Sequence, residues 1–148
     1  MKLESQVCSI ELSKRLKELG FKQESLFYWY NTKGDERFYG IAYTKGSKLK
    51  NTFSAFTVAE LGEMLPRNII VKNKEYLLTM TKGYFLSYEP YYDNGFHTIE
   101  KCIISDNNEA NARAKMLIYL LENGLIKNDI HLMTEEDSEK FNKKSEAE

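Results

Sequence analysis

The chain has 148 residues, 42% of them hydrophobic and 29% charged, which suits one folded domain and excludes disordered and fibrous classes. Its formal charge is −1 and no apolar run approaches the roughly 20 residues of a membrane helix, so composition gives neither a basic nucleic-acid signature nor a membrane span. Ten Tyr, eight Phe and one Trp favour pleated, half-buried surfaces and predict substantial β-structure.

The first predicted element is a helix from about Ile10 to Leu19. Ser9 is its N-cap, and Glu11 suits the positive end of the helix dipole. Leu12, Leu16 and Leu19 fall at i, i+4 and i+7 and make one apolar stripe, with Lys14, Arg15 and Lys17 mainly off it. Gly20 supplies a left-handed C-cap over which Phe21 folds back.

Leu26 to Thr32 and Arg37 to Thr44 then read as two strands, joined across Lys33-Gly34-Asp35-Glu36 as a hairpin. In the first, Phe27 and Trp29 share one face and Leu26, Tyr28 and Tyr30 the other. Lys45 to Asn51 is a polar, lysine-containing loop. Thr57-Val58-Ala59-Glu60 next matches a capping box, with Phe56 and Leu61 placed as a hydrophobic staple. A short helix therefore spans roughly Val58 to Leu65 and ends at Pro66.

Four strand-like runs follow, Asn68–Lys72, Glu75–Thr81, Tyr84–Tyr88 and Phe96–Ile104. Asn73-Lys74, Lys82-Gly83 and Asp93-Asn94-Gly95 punctuate them, so the economical topology is an antiparallel meander. The last helix is expected from about Asn107 to Asn123. Asp106 is its cap, Ala110, Ala114, Leu117, Ile118 and Leu121 its buried stripe, and Gly124 its stop. From Thr134 to Glu148 six acids and three lysines leave the segment at −3, which reads as a charged, disordered tail.

The expected fold is thus α+β, an antiparallel sheet of about five or six strands with three packed helices in the order α-β-β-α-β-β-β-β-α. Residues 1–133 form a single domain and 134–148 the tail. No rhythm of alternating strands and helices calls for a parallel sheet.

Three stretches carry a resemblance: SIELSKRLKELGFKQESLFYW at the start, FSAFTVAELGEMLP from Phe53 to Pro66, and NARAKMLIYLLENGLI from Asn111 to Ile126. Together, over about a third of the chain, they resemble small uncharacterised proteins encoded by bacterial phages and prophages. That resemblance implies a phage or mobile-element origin and a bacterial cytoplasm, and it brings no activity or site residue with it. The polar segment Met1 to Val7, unlike a signal peptide, points to the same compartment.

Catalytic signatures are sparse. There is no Gly-rich phosphate loop, H-E-x-x-H, C-x-x-C, EF-hand loop or G-x-S-x-G, and no cofactor is expected. His97 would act only if paired with Asp93 or Glu89, and otherwise reads as a strand-end histidine. His131 lies where the fold runs out. Cys8 precedes a helix N-terminus, where a thiolate is stabilised, but it also begins the leucine stripe, so both Cys8 and Cys102 read as core thiols. Asp35 and Glu36 are solvated turn residues.

The aromatic strands remain. Tyr28, Tyr30, Tyr39 and Tyr43 on one sheet face could stack single-stranded bases, with Lys45, Lys48 and Lys50 meeting phosphate, although no ribonucleoprotein-type string is present. Tyr84, Tyr88, Tyr91 and Tyr92, beside Trp29 and Phe96, could form a protein-binding patch, since Tyr and Trp supply interface area at low entropic cost. The expectation is a non-enzymatic accessory protein that binds a macromolecular, preferably protein, partner. Single-stranded nucleic acid is the alternative and an unrecognised enzyme the second. A homodimer fits an apolar edge strand or a tyrosine patch.

Overall fold

The computed structural model describes residues 1–32, 39–43, 52–81, 83–90 and 103–126. Its elements are α1 (Ile10–Glu18), β1 (Tyr28–Asn31), β2 (Tyr39–Ala42), β3 (Phe53–Ser54), α2 (Val58–Met64), β4 (Asn68–Val71), β5 (Lys74–Thr81), β6 (Phe85–Pro90), β7 (Ile104–Ser105) and α3 (Glu109–Glu122). A 3-10 turn at Leu3–Ser5 precedes α1.

Local chemistry explains the helix ends. Ser9 Oγ accepts the Leu12 N–H, and Thr57 and Glu60 form the expected capping box. At the C-terminus of α1, Gly20 has φ +89°, and the Gly20 and Phe21 N–H groups return to the Lys17 and Leu16 carbonyls. This is a Schellman motif. Gly124 and Leu125 repeat it on α3, donating to Leu121 and Leu120. The N-cap of α3 is Asn108 rather than Asp106: Asn108 Oδ1 accepts the Asn111 N–H, while Asp106 accepts the Asn108 N–H at 2.9 Å.

The strands are all antiparallel, as expected, but lie in two sheets, β2-β1-β3 and β4-β5-β6-β7. The extra strand, β3, has two residues, too few to show a sequence period. The second sheet is the anticipated meander. Its first turn is one residue earlier than expected, at Lys72-Asn73, with both φ positive at 50° and 63° and Val71 paired with Lys74. Two positive φ values are what a two-residue hairpin loop requires to match the strand twist. Tyr84, expected to open β6, instead lies in the β5–β6 turn at φ +58° beside Gly83 at φ +91°.

Helix α3 organises the core. It packs on α1, α2 and the β6–β7 side of the second sheet. Ala110, Ala114, Leu117 and Ile118 are buried as expected, and so are Ala112, Met116 and Leu120, whereas Leu121 is half-buried. Burial on more than one side follows from packing against three neighbours, and the alanines let those neighbours approach closely. Arg113 of α3 reaches over Gly62 of α2, where a Cβ would lie 2.7 Å from Arg113 Nη1 and the flexible guanidinium would have to shift. Leu86 and Tyr88 of β6 and Ile69 of β4 complete the core from the sheet side.

Candidate binding face

Sheet β2-β1-β3 stands outside that core. No β1 or β2 residue is fully buried, and none belongs to the core cluster or its packed margin. Register then sorts the side chains. Tyr30 pairs with Gly40 and Tyr28 with Ala42 and Ser54, so these share one face. Trp29 pairs with Ile41 and Phe53, and Asn31 with Tyr39, which places Trp29, Phe53 and Tyr39 on the other. Tyr43 joins this second face, its ring meeting Phe27 edge-on at 5.7 Å between centroids.

This overturns the expected single platform of Tyr28, Tyr30, Tyr39 and Tyr43: the four split two and two. Pairing runs even with even along β1 and β2, and side chains alternate with period two, so the odd-numbered tyrosines face the opposite way. Tyr28 and Tyr30 are also engaged. The Tyr28 hydroxyl accepts the Ser25 N–H and donates to the Gln23 carbonyl, and the Tyr30 ring lies across Gly40, where a Cβ would meet it at 3.1 Å.

The face carrying Tyr39 and Tyr43 is partly roofed by α1. Trp29 Nε1–H donates to the Cys8 carbonyl at 3.0 Å, anchoring the centre of the sheet to the start of the helix. One turn on, Lys14 Nζ stands 5.1 Å from the Tyr39 ring centroid and 5.7 Å from that of Phe53, and Lys17 Nζ stands 5.0 Å from Phe53. These are cation–π distances. Tyr39 and Phe53 are themselves 6.3 Å apart. Among the described residues no carboxylate pairs with either ammonium, whereas Arg15 between them is held by Glu18 and Glu122. Beyond the roof, Tyr43 is 73% exposed, while Phe27 and Ile41 are half-buried.

From Lys14 to Phe53 the chain has nine basic and four acidic side chains, and the remainder has twelve basic and eighteen acidic. The overall −1 therefore conceals a basic stretch of sequence, of whose nine basic side chains Lys14, Arg15, Lys17 and Lys22 lie among the described residues. Lys14, Lys17, Phe27 and Phe53 were not singled out from sequence. The available signal was the i, i+3 spacing of the two lysines, which puts them on one side of α1.

The second tyrosine cluster does not assemble as expected. Tyr88 is fully buried on the inner face of β6 and its hydroxyl donates to the Pro66 carbonyl at 2.7 Å, so it is a core residue and not part of a binding patch. Tyr84, at the hairpin tip, lines an open groove with Gln6, Val58 and Asn108, and Trp29 lies in the other sheet. Tyr91, Tyr92 and Phe96 fall outside the described residues, as do Lys45, Lys48, Lys50, His97, His131, Cys102, Asp93 and the tail. Glu89, the other carboxylate considered for His97, is exposed on β6 and accepts the Ser87 hydroxyl.

Cys8 is fully buried, with Sγ 3.2 Å from Ser13 Oγ. Burial pushes its thiol pKa up despite hydrogen bonds that favour the thiolate, so Cys8 is a protonated core residue at neutral pH. Among the described residues no group of three or more His, Cys, Asp or Glu side chains could hold a metal ion, and no helix is long and apolar enough to cross a membrane. No protein-family model, curated protein or solved structure matches the chain.

Proposed function

We propose that this protein acts by binding a macromolecular partner, without catalysis of its own, through the Phe27–Tyr39–Tyr43–Phe53 face of the β2-β1-β3 sheet. The observation that carries this reading is that the sheet's aromatic rings are left out of the core: β1 and β2 contribute nothing fully buried, and Tyr43 is 73% exposed. An exposed tyrosine beside several partly buried rings outside the core offers a partner aromatic surface at low entropic cost. The phage or mobile-element origin implied by the helical stretches belongs to the same reading, with the bacterial cytoplasm as its setting.

The test is capture of partners from bacterial lysate on the tagged protein, with and without nuclease, alongside a Tyr43→Ala variant. The expected result is a discrete partner retained by the parent chain and lost by the variant. Partners indifferent to Tyr43, or none in either arm, would refute this use of the face.

A further inference from the structure

From the same face we infer that the partner is a single-stranded nucleic acid, an assignment that rests on the binding reading above. Two complementary features meet there. The exposed Tyr43 ring, with half-buried Phe27 against its edge, stands on one side. Two ammoniums without carboxylate partners among the described residues, Lys14 and Lys17, stand on the other beside Tyr39 and Phe53, and Lys17 also donates to the Thr52 carbonyl. Tyr39 and Tyr43 are four residues apart on the β2 side, so about 13 Å of strand separates the cationic end from the open end. That length suits a short stretch of polymer rather than an isolated ion.

A partner fitting this surface must be anionic along its length and must carry planar apolar groups. Unpaired bases on a phosphate backbone meet both demands: rings stack with any base, and lysines neutralise phosphates without reading sequence. A duplex keeps its bases stacked on one another and offers the rings nothing. An acidic peptide without planar side chains satisfies the lysines but leaves Tyr43 without a stacking partner. Lys14 and Lys17 supply the attraction on this face, beside the Tyr39 and Phe53 rings.

Trp29, the single tryptophan, sits on the same face, paired with Ile41 and Phe53, and reports on it directly. The experiment titrates the full chain with fluorescein-labelled oligothymidylate, and separately with duplex DNA of equal length, following anisotropy and Trp29 emission. Expected are binding of the single strand in preference to the duplex, a change in Trp29 emission, and a Kd that rises roughly sevenfold between about 50 and 200 mM salt, the dependence of two phosphate contacts on a single strand. Tyr43→Ala should weaken binding roughly tenfold, from the loss of one stacked base. The Lys14→Ala/Lys17→Ala variant should lose most of the salt dependence while its circular dichroism stays that of the parent.

Failure to bind the single strand at low salt, equal affinity for duplex, or binding unchanged in both variants would overturn the inference. A nuclease-resistant protein captured from lysate in a Tyr43-dependent way, with no oligonucleotide binding, would overturn it too while leaving the face's role as a binding surface standing.

Discussion

Asp106 lies three residues before α3, where its carboxylate accepts from Lys115 Nζ at 2.6 Å as well as from the Asn108 N–H. Burial pushes its pKa up, but the Lys115 hydrogen bond, the Asn108 N–H, the Lys115 charge and an Asn111 hydrogen bond outweigh it and hold the carboxyl below its ordinary 3.8. A carboxyl whose folded pKa is depressed stabilises the protein above its unfolded value and loses that contribution as pH falls through the folded one. Melting temperature should therefore drop as the solution is acidified below about pH 4, and less steeply in Asp106→Asn than in the parent. Thermal melts between about pH 6 and 2.5 would decide it. Identical slopes would remove Asp106 from the account. The residue was expected to cap α3 and instead braces it, because Asn108 is the side chain within reach of the N3 amide.

Among the elements, α2 is the one most completely written in its own sequence. The Thr57 hydroxyl accepts the Glu60 N–H at 3.2 Å and Glu60 Oε2 accepts the Thr57 N–H at 2.8 Å, a reciprocal closure that needs nothing from the rest of the chain. Glu60 does more than its spacing announces. Its Oε1 accepts the Leu26 N–H at 2.9 Å and its Oε2 accepts the Ser25 hydroxyl, tying α2 to the segment that leads into β1. Thr57→Ala should cost about 1 kcal/mol, the usual loss for an N-cap. Glu60→Ala should cost more, about 2 kcal/mol, because the Leu26 amide also loses its acceptor. Denaturant titration of the two variants measures the difference, and equal costs would mean that the contacts to Ser25 and Leu26 contribute nothing.

On the scale of the molecule, the aromatic residues divide between two tasks. Leu117 of α3 and Tyr88 of β6 belong to a core spanning three helices and the second sheet, while Tyr43, Phe27 and Tyr39 belong to a sheet that core does not include. Leu117→Ala should then destabilise by about 2–5 kcal/mol, through lost burial and the cavity left behind. Tyr43→Ala should cost less than about 1 kcal/mol, its ring being mostly in water with one edge-on contact to Phe27. Chemical denaturation separates the two classes. A large cost at Tyr43 would assign the face to folding rather than binding.

The helices, their C-terminal glycines, the α2 capping box and the antiparallel second sheet were all legible in the sequence. The helix ends and the capping box depend on residues within about four positions of one another, where spacing alone sets which backbone group a side chain can reach, and the sheet was legible through the turn residues between successive strands. What the tertiary structure decided was direction. Whether Tyr39 faces with Tyr30 or against it depends on the β1–β2 register, and a shift of one residue reverses the answer while leaving the composition of both strands unchanged. Tyr88 and Tyr84 have the same side chain four residues apart, yet one is buried in the core and the other sits at a turn, because the strand's inner face is fixed by what packs on it. The meeting of Lys14 and Lys17 with Phe53 and Tyr39 brings together residues far apart in the chain, and no periodicity read along one segment encodes such a contact.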